Sequence, residues 1–163
     1  MRVRKVDRAV LENDTAAEQV AQLVRRASPA RRARAGPTKS GIDRTRTEAE
    51  VMRLSNDWSE ARPAHVVALY AWCHEQTYGV TPVELVGLNW LAAGTAAGKL
   101  ARDEFDGRLE GVVEFMRWVW RREAKREKWR RENKHEGGRI GWRAQFVQRY
   151  LVTDWRIDAA RRK

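Results

Sequence analysis

Trp118, Arg122, Lys125 and Trp129 recur at i, i+4, i+7 and i+11, so on a helix two indoles bracket two cations along a single row. Indole faces stack on nucleobases, and guanidinium and ammonium groups neutralise phosphates, which is the chemistry of a groove for single-stranded nucleic acid. The row lies in RWVWRREAKREKWRRENK, residues 117–134, where three tryptophans and nine arginines or lysines face only three glutamates. Arg121 flanks it, Arg126, Lys128 and Arg130 extend its charge, and Arg139 and Arg143 follow after the next glycines. Arg31, Arg32 and Arg34 form a second basic group near the start of the chain. These are the candidate nucleic-acid-binding residues. The competing reading has both indoles covered by the basic arm or the last helix while Glu123, Glu127 and Glu132 pair with arginines at helical spacing.

Other chemistry finds little support. AAGTAAGKLAR has the look of a phosphate-cradling loop, but only three residues separate Gly94 from Gly98, and Leu100 stands where a magnesium-binding hydroxyl is required. Asp103, Glu104, Asp106 and Glu110 gather carboxylates at the end of one helix and the start of the next, where negative charge at an amino terminus is reason enough. His65, Cys73, His74 and His135 lack paired metal-ligand spacing, and Cys73 reads as a small core residue. We expect no catalytic residue, no metal and no cofactor.

The elements that must position the basic row are helical. DTAAEQVAQLVRRAS carries a capping box at Thr15 and Glu18, and SPARRARAGPTKSGIDRTR then reads as a basic linker over residues 28–46. A second capping box, Thr47 with Glu50, starts a helix to about Asn56. Pro63 opens a further helix with Val66, Leu69, Tyr70, Cys73 and Thr77 on one stripe, ended by Gly79. Thr81, Pro82 and Glu84 have the order of a cap, first and third helical position. The helix they predict is rich in Gly87, Gly94 and Gly98, so it should pack closely on a neighbour or break in two. One long helix is expected near residues 108–134, with Val112, Val113, Met116, Val119 and Trp120 toward the core and Trp118 and Trp129 opposite. A last helix should hold Trp142, Phe146, Tyr150 and Ile157 on one side. With no sustained period-two alternation, the expectation is an all-α bundle of about five to six helices over residues 47–163, behind a basic N-terminal helix and flexible linker over residues 1–46.

Charge is partitioned along this frame. Residues 1–47 carry 12 basic and 5 acidic side chains, residues 48–116 carry 5 and 11, and residues 117–163 carry 16 and 6, within a net charge of +11 over 163 residues. A net charge of this size points to a phosphate-rich partner or an anionic membrane surface, and its partition suggests an acidic scaffold carrying two basic binding elements. Twenty-six of the 33 cations are arginine, whose planar fork grips phosphate in two places. A single cysteine excludes an internal disulfide and suits a reducing compartment. No apolar run reaches the roughly 20 residues of a membrane span, and MRVRKVDRAV lacks the apolar core of a secretory signal, so a cytoplasmic protein without a membrane partner is expected.

Residues 68–90, ALYAWCHEQTYGVTPVELVGLNW, resemble a helix-turn-helix, with Gly79 and Val80 at the turn and Leu85 and Leu88 at buried positions of the second helix. Glu75 stands where that family has a small residue, and Thr81–Gly98 contain no arginine or lysine, so a structural corner is expected in place of a DNA-reading head. In size, helical content and charge layout the whole chain is similar to the small subunits of class 1 CRISPR effector complexes. That resemblance implies a basic helical bundle without catalytic residues, lining a path for nucleic acid beside other protein subunits. Residues 58–155, through YAWCHEQTYGVTP, FMRWVW and GWRAQF, also resemble accessory domains of phage and plasmid replication proteins of the helicase-loader type. The function expected is non-enzymatic, largely sequence-independent binding of RNA or DNA within a larger ribonucleoprotein assembly, possible partners including copies of the chain itself. The alternatives are a replication accessory protein that binds single-stranded DNA and a helicase, and a helical protein–protein interaction module.

Overall fold

A computed structural model describes residues 36–162. Within them the chain forms six helices and no strand: α1 (Lys39–Ser55), α2 (Pro63–Tyr78), α3 (Gly87–Glu104), α4 (Leu109–Glu132), α5 (Trp142–Phe146) and α6 (Tyr150–Arg161). The all-α expectation holds. The expected helix after Asp14 and the cluster Arg31, Arg32 and Arg34 lie outside the described residues.

Helix α2 is the centre. Pro63 sits at its start, where a missing N–H costs nothing, and Gly79 (φ 73) ends it in the left-handed conformation. Its burial exceeds the expected single stripe: Val66, Val67, Ala68, Leu69, Tyr70 and Ala71 are consecutive and all buried, because α1, α3 and α4 each pack against it. Helix α5 rests on α3, and α6 on α4.

Three boundaries differ from expectation, each for a tertiary reason. Helix α1 begins at Lys39, so residues 39–46 are helical and not linker. Thr38 is its cap, its hydroxyl accepting from the Gly41 N–H at 3.2 Å, while the Thr47 hydroxyl turns back to donate to the Asp43 carbonyl at 3.1 Å. Ile42 packs on the core and Glu48 bonds to Arg62 and His65, which anchors the added turns to α2.

Second, no helix starts at Pro82. Pro82–Leu85 is a turn closed by the Leu85 N–H on the Pro82 carbonyl (3.0 Å), and α3 begins at Gly87 with φ 54. A helix entered at Pro82 would need right-handed φ at residue 87, where the chain is left-handed and Gly36 presses so closely on Gly87 that a Cβ on Gly36 would come within 2.1 Å of its carbonyl carbon. The helix-turn-helix register is lost with it: Leu85 is buried, but Leu88 is 64% exposed. Helix α3 itself runs unbroken for 18 residues, and its small side chains serve close packing, a Cβ on Gly98 being placed 3.2 Å from the Pro63 ring.

Third, the expected last helix is two. The Val147 and Gln148 N–H groups both donate to the Arg143 carbonyl, and Arg149 donates to the Phe146 carbonyl and reaches Asp103 at 3.2 Å. The chain therefore changes direction between α5 and α6. Trp142, Phe146 and Val152 are buried, while Tyr150 and Ile157 face outward.

Candidate nucleic-acid interface

Helix α4 has 24 residues and is about 36 Å long, with its inner face built from Val112, Val113, Phe115, Met116, Val119 and Trp120 against the rest of the bundle. Beyond Trp120 the apolar pattern stops, yet the helix continues. A buried polar clamp holds this extension: Arg130 donates to the Glu123 carboxylate and to the Gly138 carbonyl (2.9 Å), and the Tyr78 hydroxyl donates to Glu123 at 3.0 Å. The same Tyr78 oxygen accepts from the Ile140 N–H (2.8 Å), and Tyr70 donates to the Ile140 carbonyl (2.9 Å). Residues 138–140 are thereby fastened beside α4.

This arrangement sorts the sequence-predicted site residues. Arg121, Arg122, Lys125, Arg126 and Lys128 are exposed on α4. Arg126 lies 3.7 Å from Glu123 and Lys128 lies 3.8 Å from Glu132, whereas Arg121, Arg122 and Lys125 form no ion pair among the described residues. Arg139 and Arg143 are exposed, their guanidinium groups 5.7 Å from the Tyr78 ring and 5.3 Å from the Trp142 ring. Arg130 does not belong to this surface: it is 5% exposed and is committed to Glu123 and Glu127.

The two indoles of the expected row are unlike. Trp129 is 54% exposed, with His135 beside it at 5.7 Å between ring centroids. Trp118 is 4% exposed; its N–H donates to Asp158 on α6 at 2.6 Å, and the Arg122 guanidinium covers its face at 4.4 Å. An open stacking row from Trp118 to Trp129 is therefore absent, because α6 covers a second side of α4 that helical phase alone placed toward solvent. The Trp118 N–H first, and then Arg162 and Arg122, hold the Asp158 carboxyl below its ordinary value, so the bond is to a carboxylate.

Buried Trp118 stands between two grooves that separate α4 from α6. One, of about 280 Å³, has Arg117, Arg121 and Arg162 on its walls together with Glu114 and Asp158. The other, of about 320 Å³, is floored by Val119, Ile140 and Leu151 and edged by Arg122 and Arg126 on α4 and by Tyr150 and Asp154 on α6. Sequence reasoning missed Arg117, Tyr150, Asp154 and Arg162. Nothing local marks them, since Tyr150 is on the surface only because the chain breaks before it.

Of the four carboxylates at the α3–α4 corner, Asp103 and Glu104 pair with Arg149, Glu104 also with Arg156 at 2.8 Å, and Asp106 lies 3.9 Å from Arg108, while Glu110 forms no ion pair among the described residues. Among the described residues no group of three or more His, Cys, Asp or Glu could hold a metal ion, and no helix is long and apolar enough to cross a membrane. No family model matches the sequence, no curated protein matches it, and no solved structure matches the fold.

Proposed function

We propose that the chain is a non-enzymatic, largely sequence-independent nucleic-acid-binding subunit of a larger ribonucleoprotein assembly in the cytoplasm. The small subunit of a class 1 CRISPR effector complex is its most specific form. The observation that carries the reading is the outer face of α4, where Arg121, Arg122 and Lys125 stand exposed and form no ion pair among the described residues. Unpaired guanidinium and ammonium groups along one helix attract a polyanion and release its counterions on binding. The groove cations Arg117 and Arg162 widen the surface toward α6.

The test is oligonucleotide binding across a salt series. Affinity should fall steeply with salt, by roughly 0.7 in log K per log unit of salt for each phosphate contacted in a single strand. Arg121→Glu, Arg122→Glu, Lys125→Glu and Arg126→Glu together should abolish binding while leaving the helix content unchanged. Arg130 is left out because it is part of the buried clamp. Retention of binding by the quadruple variant would overturn the assignment. Co-purification with RNA and a repeated backbone subunit would favour the effector complex. A helicase in its place would favour a replication accessory protein on single-stranded DNA.

A protein-interaction module is a second reading, supported by Val80, Val83, Val86, Leu88 and Leu91, all exposed in a stretch without a cation. On that reading oligonucleotides bind weakly or not at all, and Val83→Asp with Leu88→Asp weakens association with a protein partner.

A further inference from the structure

We infer that the groove between α4 and the start of α6 receives one unpaired nucleobase, with Tyr150 as its stacking surface, so that the chain prefers single strands to duplex. The inference rests on the nucleic-acid reading above and adds which part of the polymer enters, and where.

The two grooves beside Trp118 differ in chemistry. The groove of Arg117, Arg121 and Arg162 is walled by charge of both signs, with Glu114 and Asp158 set among the arginines. The other combines an apolar floor with an exposed aromatic rim, and its volume of about 320 Å³ lies at the small end of pockets that hold organic ligands. Tyr150 is 54% exposed although its ring is apolar, while neighbouring Leu151 is partly buried against the core. Across the groove Arg122 and Arg126 supply cations where the backbone of an entering nucleotide would pass. Arg122 is held in place by its seat on Trp118, and Trp118 by its bond to Asp158, so this wall is set before any ligand arrives.

Asp154 argues further for a base. It has no hydrogen-bond or ion-pair partner among the described residues and edges the same groove. A carboxylate repels phosphate, but it accepts from the amino and imino N–H groups of a base edge. Those edges are engaged in a duplex and free in a single strand. An apolar floor, a tyrosine face, a carboxylate acceptor and two arginines together match a nucleotide with its base inward and its phosphate toward α4. Base–aromatic stacking is tolerant of sequence, as a binding surface with little sequence preference requires.

Three probes of about twelve nucleotides, a size within the range of single-strand sites, test this: oligothymidylate, an abasic strand of equal length and charge, and a duplex. The wild-type protein should bind oligothymidylate about ten-fold more tightly than the abasic strand. Tyr150→Ala should remove that difference without weakening abasic binding, and Tyr150→Phe should retain it. Tyr150 is on the surface, so the folded state of the variant can be checked by thermal melting. Equal binding of thymidylate and abasic strands by the wild-type protein, a preference that survives Tyr150→Ala, or duplex binding as tight as single-strand binding would overturn the groove assignment and leave the nucleic-acid reading standing. Absence of binding to all three would overturn both.

Discussion

Arg130 reaches back seven residues along α4 to donate to Glu123, and both side chains are buried. Burial works against the charge on Arg130, but the bond to Glu123 and the charges of Glu123 and Glu127 outweigh it and raise its pKa. Removing one member of such a pair strands the other in a dry site. Arg130→Met and Glu123→Leu should therefore each cost about 3–5 kcal/mol, whereas the two together should cost much less than the sum. Urea denaturation of the two single variants and the double variant gives the coupling. Additive losses would show that the clamp is not a unit.

Trp118 and Trp129 should separate in the same measurement. Trp118→Ala opens a cavity, and should cost about 3–5 kcal/mol. Trp118→Phe keeps most of the ring and loses the N–H, leaving Asp158 with Arg162 at 2.7 Å, and should cost about 1–2 kcal/mol. Trp129, exposed at the far end of the helix, should tolerate alanine within about 0.5 kcal/mol. A large loss at Trp129 with a small one at Trp118 would reverse the assignment of core and surface.

The contrast between these indoles shows what the sequence made legible. Helix α2 could be read directly, because Pro63 and Gly79 act on their own backbone and need no partner. The length of α4 was legible for a similar reason: it runs without proline and with glycine only at Gly111. Its phase showed one buried face where the structure has two, since α2 and α6 cover different sides and the position of α6 is a tertiary fact. Thr81, Pro82 and Glu84 had the order of a helix start, yet the same residues close a turn when left-handed Gly87 follows. The groove at Tyr150 was not legible at all. It exists because Arg149 ties the break before α6 to Asp103, 46 residues away, and no local pattern records that bond. The exposed α4 cations were found from composition alone, because an excess of nine over three could not be matched within the helix.

Cys73 should be chemically silent in the folded protein. Burial pushes its thiol up to about 12, against the opposing charges of Arg117 and Arg53. At pH 8 the thiolate is then only about one part in ten thousand, where a free cysteine near pKa 8.5 is about a quarter ionised. Labelling with a thiol reagent at pH 8 should be at least roughly a hundred-fold slower than after unfolding in guanidinium chloride. Native labelling at the free-cysteine rate would mean that the α1–α2 packing opens readily.

Glu48 gives the fold a pH dependence whose direction is fixed. The Arg62 backbone N–H donates to His65 Nδ1 at 3.1 Å, so in the neutral ring Nε2 carries the proton and donates to Glu48 at 2.9 Å. This bond first, and that from Arg44 second, lower the Glu48 carboxyl from its usual 4.5 to about 2. A carboxylate with a depressed folded-state pKa contributes stability that is fully present above the unfolded value, and the contribution disappears as acid protonates the folded form. The contribution of Glu48 should therefore be intact above about pH 5 and decline between pH 4.5 and about pH 2. Melting temperatures of the wild-type protein and Glu48→Gln, taken across pH 2–7, isolate it from other lowered carboxyls such as Asp57 and Asp158. The two curves should be separated above pH 5 and converge toward pH 2, because glutamine cannot titrate. Parallel curves throughout would show that the α1–α2 contact does not depend on the charge of Glu48.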